Sequence, residues 1–181
     1  MESITLPHLL DHPLRVCLFK HVQNATFLRQ QLLDGNTDFE YAFLDASVLI
    51  SRNHVLAACF RAINDMLNDR LKSRNVHSEI VFSLSPNNNI AESFRRFGIS
   101  NESTHVLAIK VGGDAAQIEA HLTQNVQGQP AAFSDEVLAE LCDLNKIRKI
   151  YRIQGSAKGS ETMARTEAEA FALGSMALKG S

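Results

Sequence analysis

The chain has 181 residues, of which 45% are hydrophobic, and these values suffice for one domain with a substantial core. Its formal net charge of −2 excludes a protein whose whole surface is basic, so any nucleic-acid site must be local. Three widely spaced cysteines, Cys17, Cys59 and Cys142, predict buried thiols rather than a zinc site or disulfides. Without a signal-peptide pattern or a transmembrane-length apolar run, we expect a soluble intracellular protein that does not engage a membrane.

The first third of the chain is predicted to form two strand-then-helix units. Residues 1–14 contain two prolines and are expected to be an extended lead-in. Asn24 is a candidate cap for the first helix and Gly35 a candidate stop, while Ser51 or Asn53 caps the second helix. The expected elements are strands at residues 15–20 and 41–44, a short helix between Asn24 and Gly35, and a long helix at residues 53–72 that ends in a polar, mostly basic connector at residues 69–74.

The middle of the chain is predicted to hold a central strand, a turn and a helix. Alternation of Ile80, Phe82 and Leu84 with smaller residues favours a strand, which Ser85-Pro86 would end. Asn88 or Asn89 then caps a helix. Its expected core stripe is Ile90, Ala91, Phe94 and Phe97, and Gly98, at positive φ, would end it so that Ile99 folds back onto Phe94.

The last part of the chain is predicted to contain one strand and four helices. The strand is expected at residues 104–111. The helices are expected at residues 115–126, at 134–141, after the cap residue Asp143, and at 160–178 beyond a flexible linker at residues 154–160. The order indicates a single α/β domain of the α+β type, with about four strands covered by about seven helices. Residues 1–153 would form the body, and residues 161–178 would pack on it or on a partner.

No catalytic motif stands out in the sequence. Nucleotide-binding glycine loops, HExxH and GxSxG are absent, and His54, His77, His105 and His121 lack metal-ligand spacing. Glu79 is the one carboxylate placed where it could matter, and an ion pair with Arg74 or Lys72 is its expected role. We therefore expect no catalytic residue, no metal and no cofactor.

Three stretches of the sequence resemble one known family. They are SEIVFSLSPNNNIAESFRRFGIS at residues 78–100, RVCLFKHVQNATFLRQQL at residues 15–32, and IRKIYRI at residues 147–153. They are similar to the PRPK-binding (TPRKB/CGI-type) subunit family of the KEOPS complex, also called EKC. The resemblance implies a largely antiparallel sheet.

The resemblance also implies a function. Members of that family are non-catalytic partners of the kinase-like ATPase of KEOPS, a complex that also contains the threonylcarbamoyl transferase. The complex modifies the adenosine beside the anticodon of tRNA. The family subunit docks on the kinase-like protein, supports its ATPase activity and helps to recruit tRNA through the single-stranded CCA end. A location in the cytoplasm and nucleus is implied as well.

Two surfaces are candidates for these partners. For the tRNA end, backbone N–H groups at a helix N-terminus could bind phosphate and a nearby basic connector could supply charge; alternatively, the asparagines only cap and the cations are only solvated. The candidate tRNA-binding residues are Arg70, Lys72, Arg74, Ser85, Asn87, Asn88 and Asn89. For the kinase, the candidates lie on one narrow face of the last helix: Ala164, Ala168, Phe171 and Gly174.

Two alternatives stay open from the sequence. The last helix could simply complete the fold by packing on the helix at residues 53–72. The chain could also be a small-molecule-binding or regulatory enzyme domain that uses a pocket between the central strand and that same helix.

Overall fold

The computed structural model describes residues 1–154 and 160–179 of the chain. The predicted linker at residues 154–160 lies, apart from its two end residues, outside the described part. The elements in the described residues are β1 (Glu2–Ile4), β2 (Leu14–Lys20), α1 (Ala25–Leu33), β3 (Ala42–Asp45), α2 (Arg52–Leu67), α3 (Val76–Leu84), α4 (Ile90–Phe97), β4 (Val106–Val111), α5 (Ala115–Asn125), β5 (Gln129–Ala131), α6 (Asp135–Leu141), α7 (Leu144–Tyr151) and α8 (Glu161–Leu178).

The described residues form a single α+β domain around an antiparallel sheet, as predicted, although the sheet has five strands rather than about four. The strand order is β1-β2-β4-β3, and β5 pairs with the second half of β2, beside the part that β1 occupies. Every pairing is antiparallel, including β2 with β4 and β3 with β4. The predicted sheet lacked β1, which lies in the lead-in, and β5, which follows α5.

Helices cover both faces of the sheet because successive strand residues point to opposite sides. Leu18, Leu44 and Leu107 belong to the larger core cluster, to which α2, α3, α7 and α8 contribute. Phe43 and Ala108 belong to a smaller cluster on the other side, to which α1 and α5 contribute. Strand β3 ends the series of paired strands and forms one edge of the sheet.

The predicted central strand at residues 80–84 is wrong, because this stretch is the second half of helix α3. Asn75 caps the helix by accepting from the Ser78 N–H, and the Ser78 hydroxyl accepts from the Asn75 N–H. Packing against α2, α4 and the sheet buries every residue of α3 except Ser78. A helix buried on all sides lacks the polar face that reveals helical periodicity, so chance alternation of large and small residues suggested a strand.

The predicted end of α4 and its core stripe also need correction. Gly98 has a φ of −71° and is extended, not left-handed. Its missing side chain serves close approach, since an added β-carbon would lie 2.7 Å from the Phe94 carbonyl oxygen. Ile99 bonds through its N–H to the Phe43 carbonyl oxygen and packs in the smaller core cluster. Phe97 is fully buried, whereas Phe94 is 36% exposed and Ile90 is also exposed.

The predicted caps and boundaries of the other helices largely agree with the structure. Ser51, rather than Asn53, caps α2 by accepting from the His54 N–H, and Asn89 caps α4 by accepting from the Glu92 N–H. Helix α2 ends at Leu67, so the basic connector is a separate loop. Asn24 precedes α1 but makes no side-chain cap; its amide instead donates to the carbonyl of Asn125, the last residue of α5, and accepts from the Gln127 N–H.

Candidate functional site

A broad open groove of about 920 Å³ runs along the β3 edge of the sheet, between α1 on one side and α3 and α4 on the other. We call it the basic groove. Much of its apolar lining comes from α1, α3 and α4, which contribute Leu32, Leu33, Val81, Ile90, Ala91 and Phe94, and the rest includes Tyr41, Phe43 and Ile99. The partial exposure of Ile90 and Phe94 is therefore explained by their position on this surface rather than in the core.

Four cationic side chains line the basic groove: Arg29, Lys72, Arg74 and Arg95. Two carboxylates, Glu40 and Glu102, line it as well. Arg95 is held by Glu92 at 2.6 Å, whereas Lys72 and Arg74 are exposed and have no ion-pair partner among the residues that the structure describes. The groove thus combines an apolar lining with at least two cations that are available to a phosphate.

The Arg74 side chain packs against the backbone of Gly35 across the groove. Its guanidinium lies against Gly35, where an added β-carbon would be 3.3 Å from Arg74 Nη1. Gly35 has a φ of +68°, a conformation that glycine adopts without strain. The predicted helix stop at Gly35 therefore also leaves room for a cation in the groove.

Glu79 does not form the expected ion pair with Arg74 or Lys72. Its carboxylate is buried in the first turn of α3. One oxygen, Oε2, accepts hydrogen bonds from the Lys72 N–H at 3.1 Å, the Ser73 N–H at 2.8 Å and the Ser73 hydroxyl at 2.6 Å. The carboxylate thus binds two backbone N–H groups and the Ser73 hydroxyl of the connector rather than its cationic side chains.

Only two of the seven candidate tRNA-binding residues line the basic groove. Lys72 and Arg74 line the basic groove, but the other five are not among its lining residues. Arg70 pairs with Asp65 at 3.2 Å. The segment from Ser85 to Asn89 satisfies its own polar groups: buried Ser85 accepts from the Asn87 N–H, Asn87 from the Asn89 N–H, and Asn89 caps α4, while Asn88 is exposed. For this segment the capping alternative accounts for the contacts seen.

Helix α8 packs on the body of the domain through a face whose buried residues share only Ala168 with the predicted face. Its buried residues are Ala168, Ala172 and Met176, which join the larger core cluster. Polar contacts hold both ends of α8 to α2 and its surroundings. The Ser51 hydroxyl donates to Glu169 at 2.6 Å, Arg165 donates to the Ala139 carbonyl, and Arg61 donates to the carbonyls of Met176 and Lys179. The inner face of α8 therefore completes the fold of the domain, as the alternative expected.

The four candidate kinase-binding residues are divided between the inner and outer faces of α8. Ala168 is buried and Ala164 is partly buried, whereas Phe171 and Gly174 are exposed. Among the exposed residues of α8, one mostly apolar stripe with a single acidic member forms an outer face. This face consists of Met163, Glu167, Ala170, Phe171, Gly174 and Leu178. Phe171 is 46% exposed and Leu178 is 87% exposed, so the domain's own core leaves these large side chains uncovered.

Lys179, directly after α8, lies on α3. Its ammonium nitrogen is 3.2 Å from the centroid of the Phe82 ring and donates a hydrogen bond to the Phe82 carbonyl. Burial and the nearby Arg61 lower the pKa of Lys179 to about 7, although Glu79 acts in the opposite direction. The end of α8 therefore depends on an ionisable contact with α3.

The histidines and cysteines form no metal site in the described residues, and no described helix is long and apolar enough to cross a membrane. Burial lowers the pKa of His54 and of His77 to about 3, so both rings are neutral near pH 7. Burial raises the pKa of the Cys59 thiol to about 12. His54 and Cys59 therefore belong to the core rather than to a reactive site, whereas the buried His77 ring accepts from the Val111 N–H and lies against the basic groove.

The geometry defines a small α+β protein with an open basic groove and an exposed apolar helix face. Residues 19–180 match the model of the family described as "Kinase binding protein CGI-121". The chain belongs to this family.

Curated relatives share most of their length with the chain. A protein of Aspergillus fumigatus named "EKC/KEOPS complex subunit cgi121" is 51% identical over 99% of this chain and 97% of the relative. The Aspergillus terreus protein of the same name is 55% identical over 84% and 80% of the two chains. A Schizosaccharomyces pombe protein, again so named, is 31% identical over 83% and 88%.

Among the contributors to the basic groove that sequence reasoning missed are Arg29, Ile90, Phe94 and Arg95. The sequence places Arg29 in the first helix without indicating a role, and it assigns Phe94 to the core. The available signal was the high density of aromatic residues and arginine in α4, where Phe94-Arg95-Arg96-Phe97 offers more large side chains than one buried face can hold.

Proposed function

We propose that the chain is a non-catalytic accessory subunit of the EKC/KEOPS complex that binds its kinase-like ATPase, supports that ATPase activity and helps to recruit tRNA. Membership of a kinase-binding family, together with relatives named as EKC/KEOPS subunits over nearly their full length, carries this proposal. The function served would be threonylcarbamoylation of the adenosine next to the anticodon, by a transferase elsewhere in the complex. Action on tRNA would place the chain in the cytoplasm and nucleus.

The outer face of α8 is the proposed kinase-binding surface. Protein interfaces are centred on large apolar side chains that become fully desolvated, and Phe171 is such a side chain near the middle of the helix. Gly174 lies on the same face, where an added β-carbon would have no neighbour within 4 Å, so a partner could approach the helix backbone closely there. Because Ala168 faces the core, it is not part of this proposed surface.

The basic groove is the proposed site for the CCA end of tRNA. Single-stranded nucleic acids bind where cations follow the backbone and apolar or aromatic side chains contact the bases. Lys72, Arg74 and Arg29 supply charge along the groove, and Phe94 and Ile90 supply contact area. This combination supports the groove rather than the turn at residues 85–89, whose polar groups bond one another.

Co-purification tests the kinase proposal. The tagged chain should retain the kinase-like ATPase, and Phe171→Asp should abolish this retention without lowering the melting temperature of the isolated subunit. Glu136→Gln, an exposed change on α6, serves as the control and should retain the kinase. A wild-type chain that fails to retain a co-expressed kinase-like ATPase would refute the proposal.

A small-molecule-binding domain is the second candidate, because 920 Å³ is within the range of small-ligand sites. The site first predicted for it, between residues 80–84 and the helix at 53–72, is occupied by the packed side chains of α2 and α3. The basic groove would have to serve instead. Thermal shift distinguishes the two candidates, since a specific metabolite raises the melting temperature with the logarithm of its concentration and the accessory-subunit role predicts no such metabolite in a broad panel.

A further inference from the structure

Glu79 is a buried carboxylate, and the free-energy cost of removing it from water must be offset by other contacts. Its side chain is almost fully removed from water, and an ionised carboxylate in such a position is costly unless it is well hydrogen-bonded or paired. The three bonds that its Oε2 accepts, all from Lys72 and Ser73, meet this need. Hydrogen bonds to an ionised acceptor are stronger than those between neutral groups.

The same bonds fix the path of the connector. Ser73 also accepts a hydrogen bond from the Ser78 hydroxyl at 3.0 Å, and Asn75 caps α3. The backbone from Lys72 to Asn75 is therefore held on the first turn of α3 at several successive points. Lys72 and Arg74, which flank Ser73, line the groove in this arrangement.

A second buried ionisable group, Lys179, packs on α3. Lys179 contacts Phe82, which follows Glu79 by three residues and so lies on the same side of α3. Glu79 favours the charged form of Lys179, whereas Arg61 and Lys72 oppose it. No ion pair joins the two side chains in the part of the chain that the structure describes, so the bonds from Lys72 and Ser73 are the direct polar contacts of the carboxylate.

We propose that Glu79 is a positioning residue for RNA binding: its carboxylate holds residues 72–74 so that the Lys72 and Arg74 cations face the groove. This proposal rests on the proposed binding of a single-stranded tRNA end in the basic groove. It goes further by assigning a role to a residue that touches no RNA.

The sign of the effect separates positioning from simple electrostatics. A carboxylate near an RNA site repels phosphates, so its neutralisation alone would strengthen binding. Removal of the hydrogen bonds that position the connector would instead release the segment that carries two cations and weaken binding. Glu79→Gln keeps the shape of the side chain and removes its charge. Its amide oxygen can still accept the three bonds, but a neutral acceptor holds them more weakly than a carboxylate does, so the variant places the two effects in opposition.

The experiment compares wild type, Glu79→Gln and Glu102→Gln for binding to a single-stranded RNA ending in CCA and to intact tRNA. Glu102 is an exposed carboxylate of the same groove and is the matched control. We expect Glu79→Gln to bind roughly threefold to tenfold more weakly, as for the removal of one or two exposed charge pairs. The slope of the logarithm of its binding constant against the logarithm of salt concentration should become shallower by about 0.7 for each phosphate that is no longer neutralised. Glu102→Gln should bind as tightly as wild type or more tightly.

Hydrogen exchange supplies a readout that does not depend on RNA. The amides of Lys72 and Ser73, which bond Glu79, should exchange faster in Glu79→Gln, while those within α2 should not change. If Glu79→Gln unfolds, Ser73→Ala, which removes one of the three bonds, should show a smaller change of the same sign in affinity, salt slope and exchange.

The outcomes distinguish this proposal from the one on which it rests. Wild type that binds RNA together with a Glu79→Gln variant that binds equally or more tightly would overturn the positioning role alone. Wild type that binds neither RNA would overturn RNA binding in the groove, and with it the positioning role.

Discussion

His54 Nε2 lies 2.7 Å from the hydroxyl oxygen of Tyr151 in the interior of the domain. The Tyr151 hydroxyl donates to the Leu84 carbonyl at 2.6 Å, and His54 Nδ1 accepts from the Ile50 N–H, so the ring is neutral with its proton on Nε2. These bonds join α2 and α7 to the last residue of α3. They hold the end of α3 from which the turn to α4 begins.

Acid should destabilise the protein through this histidine. The pKa of His54 is about 3 in the folded chain and near 6.5 when unfolded, so between these values the unfolded state binds the additional proton. The free energy of unfolding should be unaffected by His54 above pH 6.5 and fall as the pH decreases toward 3. Chemical denaturation at several pH values across this window gives the change of unfolding free energy with pH. This change should be smaller in His54→Gln than in wild type, by up to about 1.4 kcal/mol per pH unit. His8→Asn, at an exposed histidine, is the control, and equal slopes in all three proteins would contradict the assignment.

Two phenylalanines of α4 should respond differently to truncation. Phe97→Ala should cost about 3–5 kcal/mol of unfolding free energy because Phe97 is fully buried. Phe94→Ala should cost below about 1.5 kcal/mol because Phe94 is partly exposed, and it should weaken RNA binding. Urea denaturation of both variants decides the matter. Similar large decreases from both would restore the core stripe expected from the sequence.

The sequence predicted most helices because their caps and apolar periodicity are local signals. Ser51, Asn89 and Asp143 cap the helices expected of them. It failed for α3, where burial on all sides removes periodicity, and for the short strands β1 and β5, which exist only through pairing with β2. In the candidate site, the cations of the connector were foreseen. The roles of Phe94 and Glu79 depend on which elements meet in space, and one sequence does not contain that information.

The two faces of α8 can be separated by a matched pair of variants. Ala168→Asp should lower the melting temperature of the isolated protein substantially, because it places an unpaired charge in the core. Phe171→Ala should leave the melting temperature nearly unchanged and weaken co-purification with the kinase-like ATPase. Calorimetry without the partner supplies the first measurement. If Ala168→Asp melts like wild type, α8 does not pack on the domain as described.

Alkaline conditions should strengthen the attachment of α8. The folded pKa of Lys179, about 7, is below its usual value of 10.5, so the unfolded state binds more protons between these values. The contribution of Lys179 to the free energy of unfolding should therefore rise with pH from 7 toward 10.5. Compared with Lys179→Met, wild type should gain stability between pH 7 and pH 9, by at most about 1.4 kcal/mol per unit. Lys149→Met, at an exposed lysine, should follow the wild-type profile; a gain also present in Lys179→Met would exclude Lys179 as its source.

A tRNA titration tests the proposed function most directly. It compares wild type with a Lys72→Ala/Arg74→Ala double variant, each with intact and with CCA-trimmed tRNA. Wild type should bind intact tRNA more tightly than trimmed tRNA. The double variant should lose most of this difference and show a weaker dependence on salt, because fewer phosphates are neutralised. Arg70→Ala, which removes a cation that pairs with Asp65 outside the groove, should behave as wild type. Equal binding of intact and trimmed tRNA by wild type, or an unchanged preference in the double variant, would contradict the assignment of the basic groove to the tRNA end.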